Sequence, residues 1–450
     1  MDVLGFVKEF NGILWNSFLM YALLGVGIFY TIYLGFPQIR HFNLAMKYAF
    51  GPAMRRNKGE EGKSKVNSFQ ALATAVAAQV GTGNVAGIAT AISMGGVGSI
   101  FWMWISAVLG MSTIFSEAVL SQKYREIRDG QVVGGPAYYI SRGLKSRVLA
   151  IIFSVMVIVA LGFIGCMVQA NSISIGLASA FGMKGWVSGI LIAVLVAVVI
   201  VGGQKRVTTI AELVVPFMAL AYIVGAIIIL FMYSEQILPV FESIFGDAFS
   251  TKAAAGGAAG SVMKYAIRYG VSRGLFSNEA GMGSTPHAHA LAHVKDPSIQ
   301  GFVAMSGVFV DLLICTATAL IILTGAYAEP GLISVQITQR AFEETFGQAG
   351  VIFLAISLLV FAFTTIIGWY VFGEMNIRYL FKSKAVYGFR VIVIACVFLA
   401  TIFHANLIWE LADTFNGLMV IPNVIAILIL APQVKKLYKR FLARRKTENI

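Results

Sequence analysis

Residues 69–94 read FQALATAVAAQVGTGNVAGIATAISM, and residues 260–292 read GSVMKYAIRYGVSRGLFSNEAGMGSTPHAHALA. The first is an apolar run of the length needed to cross a ~30 Å hydrocarbon core, about 20 residues of helix. Gly81, Thr82, Gly83 and Asn84 interrupt it near its middle. Glycine and asparagine weaken helix, so a break there costs little. The second stretch carries Gly274, Ser277, Asn278, Glu279, Gly281, Gly283 and Pro286 at its centre, and hydropathy alone would scarcely mark it as a span. The positions of these two interruptions in the chain decide the fold.

Around them the chain is uniformly apolar. Of 450 residues, 58% are hydrophobic and 12% charged, with a mean hydropathy of +0.81, whereas a soluble domain has about 45–50% apolar residues. The solvent is lipid, and an all-α integral membrane protein is expected. Apolar runs set against turn signals predict about eleven helices, over 14–38, 69–94, 98–122, 148–180, 186–203, 208–233, 257–294, 299–325, 348–376, 387–403 and 411–434. Residues 1–450 form one transmembrane unit: an extra helix at 14–38, five helices over 69–233, five over 257–434, and a basic tail at 435–450. With the first helix set aside, the interrupted spans are the first and the sixth of the remaining ten and run in opposite directions. Paired glycine-interrupted spans at corresponding positions of two halves mark the midplane site of an inverted-repeat transporter. Packing glycines plus a re-entrant loop would explain either span alone, but not the matched positions.

The net charge of +13 reports orientation rather than nucleic-acid binding, because the cations lie between spans. Arg40, Lys47, Arg55, Arg56, Lys58, Lys63 and Lys65 occupy the 39–67 connection. Alternate connections follow suit, with Lys123, Arg125, Arg128, Arg142, Lys145 and Arg147, then Lys205 and Arg206, Lys295, and Arg378, Lys382 and Lys384, before the tail from Lys435 to Lys446. The intervening loops carry Glu235, Glu242, Asp247, Glu329, Glu343 and Glu344. The N-terminus is therefore expected outside and the C-terminus in the cytoplasm of a multi-pass inner or plasma membrane protein. The first span follows Asp2, Lys8 and Glu9 and exceeds a signal-peptide core in length, so it is read as retained. Cys166, Cys315 and Cys396 show no metal or disulfide spacing.

A broken helix exposes backbone groups that lipid cannot satisfy. A zwitterion suits them: N–H donors at a half-helix N-terminus face a carboxylate, and free carbonyls face an ammonium group or sodium. Thr82 and Asn84 add side-chain oxygens, and Gln79 an amide one turn away. Gln169 and Asn171 sit deep in the fourth helix and should face the bundle interior. Thr364 and Thr365 stand about a turn before Trp369 in the ninth; their hydroxyls complete an oxygen shell for a small hard cation, or bond their own i−4 carbonyls. Trp369 would wall a small pocket. The buried carboxylates are Glu117, Asp311 and Glu279; for Glu117 and Glu279 a role holding the broken segment is expected, and Asp311 is open to a proton or to sodium. His287, His289 and His293 contain an i, i+4 pair, but an interior hydrogen-bonded cluster is expected rather than a metal site. No P-loop, GxSxG or HExxH string is present, so gradient-driven transport without enzymatic activity or cofactor is expected. An ion channel would need a continuous polar pore, and a membrane enzyme a nucleophile or metal constellation.

VGTGNVAGIATA (80–91), GGVGSIFWMWISAVLG (95–110) and RGLFSNEAGMGSTPHAHA (273–290) resemble the alanine or glycine:cation symporter family, within the amino acid-polyamine-cation superfamily, over nearly the whole chain. Before FWMW this family tends to have two small residues from Gly and Ala, where this chain has Gly98 and Ser99. The resemblance implies a leucine-transporter-like five-plus-five fold with one extra N-terminal helix, taking up alanine or glycine with sodium, as a monomer in the bilayer. Proton coupling, or serine or glutamine as substrate, is the alternative. It implies substrate contacts at Gly81, Thr82, Gly83, Asn84, Gln169, Phe276 and Trp369, to which the neighbouring Gln79, Ser277 and Asn278 are added. It also implies a sodium ion between the carbonyls of Ala77 and Val80 and the hydroxyls of Thr364 and Thr365.

Overall fold

The computed structural model describes residues 3–54, 66–250, 261–325, 334–381, 383–402 and 405–448. Arg55, Arg56, Lys58, Lys63, Lys65, Glu329, Lys382 and residues 257–260 and 403 of the expected helices lie outside them.

From the N-terminus, α1 (Val3–Ile13) leads through a π-helical segment, Leu14–Leu19, into α2 (Met20–Leu34). Gly35, at φ 77°, ends α2 in the left-handed conformation open to glycine. Short α3 (Pro37–Arg40) and α4 (Phe42–Met54) follow. Asn67 and Gln70 form a capping box that starts α5 (Ser68–Gln79). The helix stops at Val80, whose φ −87° and ψ 94° are extended. It resumes as a π segment, Gly83–Gly87, and α6 (Ile88–Gly95), bent by 49° from α5. The long α7 (Ser99–Tyr124) runs into an antiparallel hairpin of β1 (Glu126–Arg128) and β2 (Gln131–Val133), with Glu126 opposite Val133. The expected all-α chain is thus nearly all-helical. Then come α8 (Pro136–Gly143), α9 (Arg147–Val157), a third π segment at Ile158–Gly165, α10 (Cys166–Phe181), α11 (Gly185–Ile200), α12 (Gly203–Met232) and α13 (Ser234–Ala248).

The second half begins with α14 (Ser261–Asn278) and α15 (Pro286–Leu291), separated by a non-helical stretch at 279–285. It continues with α16 (Pro297–Thr324), α17 (Val335–Phe346), α18 (Gln348–Phe381), α19 (Val386–Ala400) and α20 (Ala405–Glu448). Among the described residues, seven helical segments are long and apolar enough to cross a membrane, and the bent α5–α6 pair makes an eighth. α2 and α11 are apolar but shorter. α12 displays the lipid boundary: Leu213, Phe217, Leu220, Val224 and Phe231 are exposed along one face, while Ala211, Val215, Met218, Tyr222 and Ile229 are buried on the other. An apolar stripe that broad on an outer surface fits hydrocarbon, not water. Inside, α7 packs on α14 and α16, α5 on α12 and α18, and α10 on α18.

The described part of the 39–67 connection and the loops read around Glu235, Glu242, Asp247, Glu343 and Glu344 are largely helical, as α4, α13 and α17, and the ends of three expected helices differ from the sequence reading as well. The expected 348–376 helix continues to Phe381, so Arg378 is no loop cation; it is buried and pairs with Glu374 one turn earlier at 2.6 Å. The expected 411–434 helix runs to Glu448, because Val434, Tyr438 and Phe441 recur at helical spacing and stay buried. α15 ends at Leu291, so His289 and His293 do not share a helical face.

Candidate binding site at the two helix breaks

The first break is closed by amides. Gly81 N–H donates to Asn84 Oδ1 (2.9 Å) and Thr82 N–H to Gln169 Oε1 (3.1 Å). Asn84 Nδ2 donates onward to Asp311 Oδ1 at 2.6 Å, and the Ser277 hydroxyl donates to the same oxygen at 2.7 Å. Asp311 on α16 therefore joins both breaks through neutral donors. Gly81 has to be glycine, since a Cβ there would stand 2.4 Å from Thr365 Oγ1 and 3.0 Å from Gln169 Oε1. At Gly83 the two breaks touch, where a Cβ would lie 3.3 Å from Ser277 Cα and 3.4 Å from the Phe276 ring.

The second break is closed by carboxylates. Glu279 (φ 57°), Gly281 (φ 84°) and Gly283 (φ 81°) take left-handed conformations, and the alternate N–H groups of Gly281 and Gly283 turn to one acceptor. Glu117 of α7 accepts from Gly281 N–H and Gly283 N–H, each at 3.0 Å, and from Asn423 Nδ2 at 2.6 Å. Asn423 also donates to Gly281 O (2.9 Å) and accepts from the Tyr139 hydroxyl. Glu279 accepts from Trp369 Nε1 (2.6 Å) and Ser284 Oγ (2.5 Å). Both glutamates hold the broken segment, as the sequence reading favoured. Asn423 was missed, although a polar side chain after Pro422 within an apolar span was the available sign.

Four buried polar atoms at the breaks lack a protein partner: Gln79 Oε1, Thr82 Oγ1, Asn278 Nδ2 and Thr285 Oγ1. Gln79 Nε2 donates to Asn278 O (2.7 Å), and Asn278 Oδ1 accepts from Ala280 N–H (3.0 Å). These bonds assign both amides, so the orphans are one acceptor, one donor and two hydroxyls. Gly307, which has no side chain, faces Gln79 Oε1; a Cβ there would approach to 3.0 Å.

The two threonines diverge. Thr365 Oγ1 lies 2.9 Å from Ala77 O, 3.2 Å from Val80 O and 3.1 Å from Phe361 O. Thr364 Oγ1 turns instead to Phe361 O (2.8 Å) and Met218 Sδ. Gln169 reaches the first break, whereas Asn171 bonds Ala400 O of α19 at 2.9 Å. The Trp369 ring lies against Gly165, at the end of the π segment before α10. His287 bonds Ser284 O and Asn376, and His289 bonds Gln300, so the pair is an interior hydrogen-bonded cluster. A cavity of about 440 Å³, lined by α1, α6, α14 and α20 residues, includes Phe276 in its wall; Arg273 and Asp413 pair across it at 3.2 Å.

The model of the sodium:alanine symporter family matches residues 1–450. The chain is 39% identical to the sodium/alanine symporter AgcS of Methanococcus maripaludis, covering 100% of this chain and 99% of that one. It is 39% identical to a Bacillus subtilis protein named probable sodium/glutamine symporter GlnT, covering 97% and 90%. Among solved structures, MhsT in complex with L-phenylalanine superposes with a TM-score of 0.60 at 13% identity, covering 82% of this chain and 90% of that chain. That likeness shows a leucine-transporter-like fold.

Proposed function

This chain belongs to the sodium:alanine symporter family, and on that premise we propose that it takes up a small neutral amino acid, alanine or glycine, with sodium by alternating access. The observation that carries this reading is the set of unpaired atoms at the breaks. A buried polar group without a partner costs about 1–3 kcal/mol, and a zwitterion relieves three of them, Gln79 Oε1, Thr82 Oγ1 and Asn278 Nδ2. Its ammonium group donates to Gln79 Oε1, and its carboxylate accepts from Asn278 Nδ2 and the Thr82 hydroxyl. Gly81, Gly83, Asn84, Gln169, Ser277, Phe276 and Trp369 shape the space. The absence of any charged side chain among these orphans supports a neutral substrate.

Sodium sits beside the substrate among Ala77 O, Val80 O and Thr365 Oγ1, oxygen ligands of the kind hard cations take; Thr364 joins this shell when its hydroxyl turns from Phe361. The repeat is five-plus-five, 69–233 against 257–434, and the protein works as a monomer in an inner or plasma membrane. Its N-terminus is outside, its C-terminus cytoplasmic, and the 440 Å³ cavity at Phe276 is the outer approach. Counterflow in proteoliposomes tests the reading: labelled alanine exchanges under a sodium gradient, and exchange that is absent or indifferent to sodium overturns it.

Asp311 favours a second reading. A buried carboxylate bonded to Asn84, Ser277 and Cys315 is able to take a proton in place of sodium. The relative named for glutamine favours a larger substrate. Uptake driven by a proton gradient without sodium, or competition by glutamine or serine stronger than by alanine, selects this alternative.

A further inference from the structure

Far from the breaks, the end of α2 meets the long C-terminal helix in a cavity of about 190 Å³ lined by Tyr33, Arg40, His41, Lys435, Tyr438 and Lys439, among others. Its cations are unbalanced. Among the described residues, none of Arg40, Lys435 and Lys439 is paired with a carboxylate. Asp296 pairs with Arg440 at 3.6 Å and is not part of the lining.

The walls are formed rather than loose. Lys435 Nζ stands 3.9 Å above the Tyr33 ring, within cation–π range, which keeps the ammonium group at the cavity. Lys435 and Lys439 are one helical turn apart on α20, whose Tyr438 is buried between them against Phe115 and Phe302. The left-handed turn at Gly35 and Phe36 brings the chain back so that Arg40 Nη1 would lie only 3.3 Å from a Cβ on Gly35. Burial, with Arg445 and Arg40 nearby, holds the His41 imidazole below its ordinary value, so it adds no charge at pH 7 and is free to serve as a hydrogen-bonding group. Beside this polar cup, Ile32, Phe36 and Ile39 are exposed apolar side chains. A basic cup at the end of the helices, opening beside an apolar outer face, has the two chemistries of an acidic phospholipid.

We propose that this cavity binds the phosphate headgroup of an acidic phospholipid, whose acyl chains run along the face marked by Ile32, Phe36 and Ile39. The lipid ties the N-terminal helix to the C-terminal one. Under the orientation given above, it is a lipid of the cytoplasmic leaflet. The proposal rests on the chain lying in a bilayer and not on what it transports, so its test is independent of the uptake experiments.

In the test, full-length protein is purified in uncharged detergent and exposed to equal amounts of phosphatidylglycerol and phosphatidylcholine, and the bound lipids are counted by native mass spectrometry. Wild type is expected to retain phosphatidylglycerol in preference. Each cation near a lipid phosphate contributes about fivefold, so Lys435→Gln combined with Lys439→Gln lowers the preference by about 25-fold. Lys436→Gln combined with Arg444→Gln, the same charge change at exposed positions outside the cavity, leaves it unaltered. Arg40→Gln, at an exposed side chain, gives a single-site loss of about fivefold and serves if the lysine pair fails to fold. An unchanged preference in the cavity variants, or an equal loss in the Lys436 and Arg444 control, overturns the proposal. Glycerol 3-phosphate displacing the lipid as effectively as free phosphatidylglycerol does would assign the cavity to a soluble phosphate and overturn it as well.

Discussion

The two broken helices solve the same problem with different chemistry. At 81–84 the exposed backbone is met by neutral amides, those of Asn84 and Gln169, and unpaired polar atoms lie on both sides, Gln79 Oε1 and Thr82 Oγ1 here and Asn278 Nδ2 and Thr285 Oγ1 at the second break. At 279–285 it is met by the carboxylate of Glu117 and braced by Asn423 and Glu279. Charge-assisted hydrogen bonds are roughly twice as strong as neutral ones. The second break is therefore an anchored scaffold, while the first is held weakly enough for a ligand to compete. The proposed alternating access needs both, a fixed frame and a site whose bonds are exchangeable.

Substitutions break or sharpen this contrast. The largest effect is expected from Glu117→Ala, which leaves the N–H groups of Gly281 and Gly283 and the Asn423 amide without their acceptor. At about 1–3 kcal/mol for each orphaned group, the loss is about 4 kcal/mol, read as a large fall in melting temperature in detergent and abolished uptake. Asn84→Ala orphans Gly81 N–H and removes a donor from Asp311, so it should insert with a smaller fall in melting temperature than Glu117→Ala, yet lose uptake by roughly a hundredfold, about 3 kcal/mol of site interactions. Wild-type transport by this variant would remove the first break from the site. Gly81→Ala forces a Cβ to within 2.4 Å of Thr365 Oγ1. Overpacking of that kind costs about 1–3 kcal/mol, and it should weaken alanine and sodium binding together, because the displaced threonine faces the carbonyls of Ala77 and Val80.

Smaller again is Thr365→Ala, expected to raise the sodium concentration for half-maximal uptake by about tenfold, the worth of one lost ligand near 1.4 kcal/mol. If only the alanine requirement moves, the cation lies elsewhere. Thr364→Ala should shift sodium dependence by less than about threefold, because its hydroxyl bonds Phe361 O and Met218 in place of those carbonyls.

Much of this was legible in sequence, since glycine and asparagine inside apolar runs have a local cause and a local effect. The interruption read at 81–84 falls at its leading edge, at Val80 and Gly81, with Gly83 and Asn84 already in the next helical segment, and the one read across Gly274 to Pro286 is non-helical at 279–285. Partnership across the chain was not legible. Glu117 and Asn423 are 306 positions apart, and nothing near either residue announces the other. Adjacent side chains on a helix diverge by about 100° and those two apart by about 200°, so only Thr365 of the two threonines reaches Ala77 O and Val80 O, and Gln169 and Asn171 do not share a target. Residues 435–448 and Arg378 were misplaced because charge reads as loop, whereas buried Tyr438 and Phe441, and the Glu374 carboxylate, continue those helices inward.

The central claim is that the unpaired atoms at the breaks receive an amino acid in the company of sodium. Binding of labelled alanine to the purified protein, measured with sodium and with choline in its place, tests it most directly. Saturable binding that appears only with sodium and disappears in Asn84→Ala is the predicted result; binding of equal strength in choline, or undiminished in Asn84→Ala, would contradict it.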